Sequence, residues 1–207
     1  EVCWYEDPKK KNDRVHRIFN KHFFKTVKNR IKYISSYYTN SPKNLLKKHF
    51  KYSGKIKFTD HHISHAAFSY FTSPYKRAAI LTVDGVGEWE TITISLGIDN
   101  KIIKKYSIDF PNSLGMLYST VTSYLGFKPN EGEYKVMGLA PFGNPEKYYD
   151  KINKVFKRTS NKFTINQKYF TWEYSDKIMF NIEFCKLLGI PPRLKEEPIT
   201  QDHKDLA

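Results

Sequence analysis

Two histidines one helical turn apart are the residues of this sequence best suited to hold a metal ion. His61 and His65 are four positions apart, so a helix puts both imidazoles on one face, where they can bind a single ion. The spacing also fits histidines that are merely packed or exposed, because the pattern has many chance matches. His62, between them, is a candidate proton acceptor or a structural residue.

An acidic residue followed by two glycines ends the first apolar run after these histidines. Asp84 closes that run, and Gly85-Val86-Gly87-Glu88 leads into a second apolar segment. Backbone N–H groups at such a hairpin tip can face a phosphate, and a carboxylate with imidazoles suits Fe²⁺ or Mn²⁺. An ordinary hairpin with an Asp-Gly turn is the alternative.

A third polar group follows further along the chain. Gly115 lies in the segment Ser113–Gly115, which opens a helix, and small residues at a helix N-terminus can receive an anion or a ribose. The next loop contains Glu131, Gly132 and Glu133, followed by Lys135. The glutamates can accept from ribose hydroxyls and Lys135 can neutralise a phosphate, but a solvated loop has the same composition.

The elements that must position these residues follow from periodicity and from breaker residues. Apolar residues at steps of four and three predict one amphipathic helix through 15–34, and Ser41-Pro42 predicts a second helix that ends at Gly54. Asp60 is a predicted cap for a helix over 61–71. We expect strands at 55–59, 78–84, 91–98 and 102–108, and a helix at 114–125. The pattern is α/β or α+β.

The charge is concentrated in one segment. The net charge is +14, and residues 8–57 hold sixteen Lys and Arg against the single acid Asp13. Nucleic acid, phosphorylated substrates or an anionic membrane surface can bind such a segment. We favour a solvated helical face, since no nucleic-acid motif accompanies the charge, and we do not expect nucleic acid as a partner.

Composition narrows the class of protein further. Apolar runs stay well short of the roughly 18 residues of a membrane span, so no membrane partner is expected. Cys3 and Cys185 are far apart and form no metal or disulfide pattern. A reducing, cytoplasmic setting is therefore predicted.

Five segments in this order resemble the O-carbamoyltransferase family, which contains the nodulation-factor (NodU-type), cephalosporin and aminoglycoside carbamoyltransferases. The resemblance covers roughly residues 55–207 and is more specific than any one motif. The segments are DHHISHAA (60–67), LTVDGVGEWET (81–91), FPNSLGMLYS (110–119), NEGEYKVMGLAPFG (130–143) and LGIPPR with ITQDHKDLA (188–207).

The resemblance implies an α/β fold of actin-like, Hsp70-like (ribonuclease H-like) ATPase lobes, present in part. Residues 1–76 would end the first lobe, with the basic helical segment, and 77–207 would begin the second. It also implies an ATP-dependent enzyme that makes carbamoyl adenylate from carbamoyl phosphate and passes the carbamoyl group to a hydroxyl of a sugar or natural product.

The same resemblance assigns roles to the candidate residues. His61, His65 and Asp84 would be the catalytic and iron-binding residues. ATP would contact Asp84, the hairpin Gly85, Val86, Gly87 and Glu88, and also Gly115, Glu131, Gly132, Glu133 and Lys135.

Departures from the family pattern set limits on this expectation. The first phosphate loop and the YrdC-like domain have no counterpart here, and a further metal-binding aspartate is expected beyond Ala207. We therefore expect a fragment that is inactive alone. Two alternatives stay open, a tRNA threonylcarbamoyl-transfer enzyme and a non-catalytic nucleotide-binding fragment.

Overall fold

A computed structural model describes residues 1–159, 162–175 and 178–207. It divides the chain into two compact units, Glu1–Phe110 and Pro111–Ala207. The boundary that we predicted between residues 76 and 77 concerns lobes of a larger fold and stays a prediction. The mixture of helices and strands confirms the α/β composition.

The first unit contains five strands and four helices in the part of the chain that is described. Their bounds are β1 Val2–Trp4, α1 Pro8–Lys21, α2 Phe23–Thr39, α3 Pro42–Phe50, β2 Ile56–Phe58, α4 His61–Phe71, β3 Arg77–Val83, β4 Glu90–Ile98 and β5 Lys101–Asp109. All the strands predicted between 55 and 108 are present, with ends shifted by at most one residue, and β1 was not predicted.

Strands β3, β4 and β5 form an antiparallel sheet in chain order, and helix α4 packs on one face of it. Ala66 and Tyr70 of α4 are buried with Ile80 of β3. Gly97 of β4 allows this close packing, since a Cβ there would lie 2.5 Å from a ring carbon of Tyr70. Asp99 adopts a left-handed conformation, φ 51°, in the predicted turn between β4 and β5.

Strands β1 and β2 pair in parallel, with Cys3 opposite Lys57. At one end of the pair the Val2 N–H donates to the Lys55 carbonyl over 3.1 Å. At the other end the Thr59 N–H donates to the Trp4 carbonyl over 3.0 Å. Because β2 leads directly into α4, this pairing brings the segment after β1 to the first turn of α4.

The single amphipathic helix predicted through 15–34 is wrong, because the helix is broken at His22. Thr26 of α2 is buried, and its hydroxyl donates to the His22 carbonyl over 2.9 Å. The Arg30 guanidinium donates to the Phe19 carbonyl of α1. These bonds occupy the carbonyls at the end of α1, which explains why the chain turns there although no Pro or Gly marks the break. The helix predicted from Ser41-Pro42 corresponds to α3, and it begins at the predicted Ser41 cap. It ends at Phe50 and not at the predicted Gly54, and Lys51 after it adopts a left-handed conformation.

The second unit consists of short helices around an aromatic core. Its elements are α5 Leu114–Tyr124, α6 Glu133–Leu139, a 3₁₀ turn at Ala140–Phe142, α7 Glu146–Asn153, β6 Phe156–Arg158, β7 Phe163–Ile165, a 3₁₀ turn at Gln167–Tyr169, α8 Ile182–Leu188 and α9 Gln201–Leu206. Tyr124 and Phe184 are completely buried and meet edge to face, with ring centroids 5.5 Å apart.

Two features of the second unit bear on the predicted motifs. Helix α5 begins in the segment 113–115 that the sequence predicted to open it, and the Ser113 hydroxyl caps it by accepting from the Met116 N–H over 3.0 Å. The buried Arg193 guanidinium donates to the Leu125 carbonyl at the other end of α5 over 2.9 Å.

None of the helices in the described ranges has the length and apolar character required to cross a membrane.

Candidate metal centre

Helix α4 starts at His61, but its N-terminus is held differently from the prediction. The Asp60 side chain makes no capping hydrogen bond; it forms an ion pair with Lys10 of α1 over 2.6 Å. The Glu88 carboxylate, from the loop after Asp84, accepts from the His61 N–H instead, with both oxygens at 3.1 Å. The predicted helix is therefore correct and Asp60 takes the N-cap position, but its side chain does not make the capping bond.

The structure brings His61, His65 and Asp84 together at the start of α4 and the end of β3. Nε2 of His61 lies 2.7 Å from Oδ2 of Asp84, and Nε2 of His65 lies 3.5 Å from the same oxygen. The two Nε2 atoms are 3.0 Å apart. One ligand atom from each residue falls within 4.8 Å of the other two.

This arrangement fits a divalent transition metal. An ion bound at about 2.1 Å from N and O donors holds neighbouring donor atoms about 3.0–3.4 Å apart in octahedral or tetrahedral geometry, close to the separations found here. Two imidazoles with one carboxylate are a donor set typical of non-haem Fe(II). One difference from most metal-binding histidines is that the buried Nδ1 of His61 has no hydrogen-bond partner among the described residues.

Without a metal, His61 and Asp84 stabilise each other's charged forms. The hydrogen bond to Asp84 raises the pKa of His61 above its ordinary value, although burial opposes the rise. The hydrogen bond from His61 in turn lowers the pKa of Asp84 far below its usual range. Asp84 is therefore a carboxylate at neutral pH, the form that a metal requires.

His62 takes a structural position between α4 and the sheet. It is completely buried; its Nε2 lies 2.9 Å from the Glu90 carbonyl and its Nδ1 lies 2.6 Å from the Thr82 hydroxyl. A carbonyl only accepts, so Nε2 carries the proton and Nδ1 accepts from Thr82. Burial lowers the pKa of His62. The side chain thus ties α4 to β3 and β4 as a neutral imidazole.

The hairpin tip packs tightly against the first residue of α4. The Gly85 N–H donates to Oδ1 of Asp84 over 2.6 Å, and the Gly87 N–H donates to the Glu90 carbonyl over 2.9 Å. A Cβ on Gly87 would lie 3.0 Å from Cβ of His61. Half-buried Val86 lies between the glycines. The loop therefore fixes Asp84 beside the histidines, and phosphate binding by its backbone stays a prediction.

The remaining predicted nucleotide contacts lie in the second unit. Gly115 is in the first turn of α5, and Glu131 forms an ion pair with Lys128. Lys135 is exposed on α6. The Glu133 carboxylate accepts from Asn130 N–H and the Ser119 hydroxyl, each over 2.8 Å, and from Gly132 N–H over 3.2 Å. Glu133 thus organises its own loop, and the nucleotide-binding role of these residues stays a prediction.

His61, His65 and Asp84 form the metal group. The sequence did not identify two contacts beside this group, those of Tyr5 and of Glu88 with Asp7. The Tyr5 ring meets the His61 ring edge to face, with centroids 5.7 Å apart. The Glu88 carboxylate also accepts from the Asp7 N–H, the N-cap residue of α1, over 2.7 Å. Neither contact has a local sequence signal, because each joins residues far apart in the chain.

Comparison with known proteins relates this arrangement to one family. The family model for the carbamoyltransferase N-terminus matches residues 6–207. An uncharacterised protein of Synechocystis sp. is 46% identical over 154 residues, which make up 73% of this chain and 25% of that protein. Nodulation protein NolNO of Sinorhizobium fredii is 33% identical over 154 residues, 74% of this chain and 21% of that protein. Nodulation protein NolO of Bradyrhizobium diazoefficiens is 28% identical over 149 residues, 72% of this chain and 25% of that protein. The chain spans about a quarter of the length of these relatives.

Proposed function

This chain belongs to the carbamoyltransferase family, and we propose that a protein containing it carries out ATP-dependent O-carbamoyl transfer. The carbamoyl group passes from carbamoyl phosphate, by way of carbamoyl adenylate, to a hydroxyl of a sugar or another natural product. Because the chain spans about a quarter of its relatives, the activity is proposed for the whole protein, and this chain supplies its metal group.

The His61, His65 and Asp84 group is the observation that carries the proposal, since its three ligand atoms converge within 4.8 Å. Both Nε2 atoms and a carboxylate oxygen would hold a divalent ion, with iron as the expected metal. Such an ion supplies Lewis-acid polarisation of a carbamoyl carbonyl and binds an adenylate phosphate.

The residues of this chain orient the reactants in the proposed transfer. We propose that the backbone of the hairpin Gly85–Glu88 faces the phosphate end of the nucleotide, and that Gly115 and Glu131–Lys135 contribute nucleotide contacts in the whole protein. The acceptor oxygen forms a bond to the carbonyl carbon, and the bond from that carbon to the AMP phosphate oxygen breaks. AMP leaves, and the hydroxyl proton passes to solvent.

The metal group is tested by substituting its histidines one at a time. His61→Ala and His65→Ala are compared with His49→Ala, which removes an exposed histidine of α3. We expect iron close to one atom per chain in anaerobically purified unmodified protein and in the His49→Ala protein, and loss of iron from the other two. Equal iron content in all four proteins would refute the assignment.

Nucleotide binding is measured on the same samples with a non-hydrolysable ATP analogue. Binding that weakens together with metal loss supports a shared site. A salt series with tRNA separates the threonylcarbamoyl alternative, because contacts to several phosphates give a steep loss of affinity with salt. Tight, strongly salt-dependent tRNA binding would favour that alternative, for which the basic segment 8–57 is the supporting feature.

A further inference from the structure

The side chain of Glu88 is buried where three segments of the first unit meet. It is 4% exposed. One oxygen accepts from Asp7 N–H over 2.7 Å and from His61 N–H over 3.1 Å, and the other oxygen lies 3.1 Å from the same His61 N–H. Both partners donate, so the group they surround is a carboxylate acceptor.

Both donors belong to the N-termini of helices. Asp7 is the N-cap of α1 and His61 is the first residue of α4. The first N–H groups of a helix have no partner within the helix, and the helix dipole favours a negative charge beside them. Since the Asp60 side chain makes no capping bond, the Glu88 carboxylate takes over that function for α4 from a distant part of the chain.

The position of Glu88 in sequence links this bond to the metal group. Asp84 and Glu88 stand at the two ends of one short loop. Asp84 approaches the His61 ring at 2.7 Å, while Glu88 holds the His61 backbone. The loop and the helix are therefore joined on both sides of the same histidine.

We propose that Glu88 is a positioning residue for the metal group: its carboxylate fixes the first turn of α4 against the hairpin loop and so sets the distance between the histidines and Asp84. The inference rests on the proposed metal-binding function. A cap that served only for folding would affect stability and leave the geometry of a bound metal unchanged.

The test is Co²⁺ binding by the 207-residue chain, followed by visible absorption and calorimetry at a temperature where all proteins are folded by circular dichroism. Glu88→Gln replaces an acceptor oxygen by an NH₂ donor that faces the same N–H groups. Glu90→Gln is the matched control. Glu90 follows Glu88 by two positions, and its side chain forms an ion pair with Lys104.

We expect Glu88→Gln to bind Co²⁺ about 10–100-fold more weakly, the usual effect of removing a group that orients a metal ligand, and to shift the visible absorption band. Glu90→Gln should match the unmodified protein. If Glu88→Gln does not fold, Glu88→Asp keeps the charge on a side chain one methylene shorter, and it should show the same change in smaller degree.

The outcomes separate this inference from the proposed function. Unchanged Co²⁺ affinity and spectrum in the folded Glu88 variants, with normal binding by the unmodified protein, would overturn the positioning role alone. Absence of Co²⁺ binding by the unmodified protein would overturn the metal group and the positioning role together.

Discussion

Gly87 is the position where a single methyl group is expected to disturb the metal group most directly. A Cβ built there lies 3.0 Å from Cβ of His61, 3.1 Å from Cδ2 of His62 and 3.2 Å from Cδ2 of His61. Ordinary contacts begin at 3.4 Å. Gly87→Ala therefore pushes the hairpin loop and the first turn of α4 apart by about 0.4 Å.

This displacement is larger than a metal site tolerates. Ligand distances in metal sites hold to about ±0.2 Å, and the loop that moves carries Asp84 while the helix carries both histidines. His62 is also anchored by hydrogen bonds to Thr82 and Glu90, so α4 cannot turn freely to relieve the contact. Overpacking of this kind costs about 1–3 kcal/mol, and about 1.4 kcal/mol corresponds to a tenfold change in an equilibrium constant.

We expect Gly87→Ala to lower the Tm of the metal-free protein by several degrees and to weaken Co²⁺ binding at least about tenfold. The assays are thermal unfolding by circular dichroism and Co²⁺ titration by visible absorption. Gly138→Ala in α6 is the control, because a Cβ there has no heavy atom within 4 Å and Ala favours a helix. Unchanged Tm and Co²⁺ affinity in Gly87→Ala would refute the argument that this contact fixes the site.

Two predictions concern the second unit. Burial alone would raise the pKa of Glu133, but hydrogen bonds from Asn130 N–H and other donors lower this pKa below 4.5. The charged Glu133 side chain therefore stabilises the fold above pH 4.5, and this stabilisation is lost as the pH falls through the lower pKa of the folded state. The excess stability of unmodified protein over Glu133→Gln in urea should shrink on acidification below pH about 4.5, and an equal difference at every pH would contradict this. Gly143→Ala places a Cβ 1.9 Å from the Lys204 carbonyl oxygen, so we expect a loss of about 3 kcal/mol or more in urea unfolding, against no loss for Gly138→Ala, and equal stability of the two variants would contradict it.

Predictions from the sequence succeeded where a local pattern determines the element. Apolar runs bounded by Gly, Asp and Asn gave β3, β4 and β5, and Ser41-Pro42 gave the start of α3. Both cases depend on neighbours within a few residues, which the sequence displays directly.

Predictions failed where a tertiary contact overrides the local pattern. The apolar period runs straight through His22, yet α1 ends there because Thr26 and Arg30 of α2 donate to carbonyls at its end. The predicted apolar face of α2 is also largely exposed in the first unit, with Phe23 at 51% and Ile31 at 71%. Periodicity shows which residues share a face, but not whether another segment covers that face.

The sequence by itself determined the chemistry available at the metal group, because two imidazoles four residues apart on a helix face the same way. It also determined the family, through the order of motifs that matches the carbamoyltransferase N-terminus. The sequence also indicated Asp84 as the third candidate ligand, but only the tertiary structure decided that its carboxylate lies beside both histidines, that Glu88 caps the helix in place of the Asp60 side chain, and that His62 is a buried link between α4 and the sheet. Each of these depends on atoms brought within 2.6–3.5 Å by residues 19 or more positions apart, a relation that packing creates and that spacing along the chain does not contain.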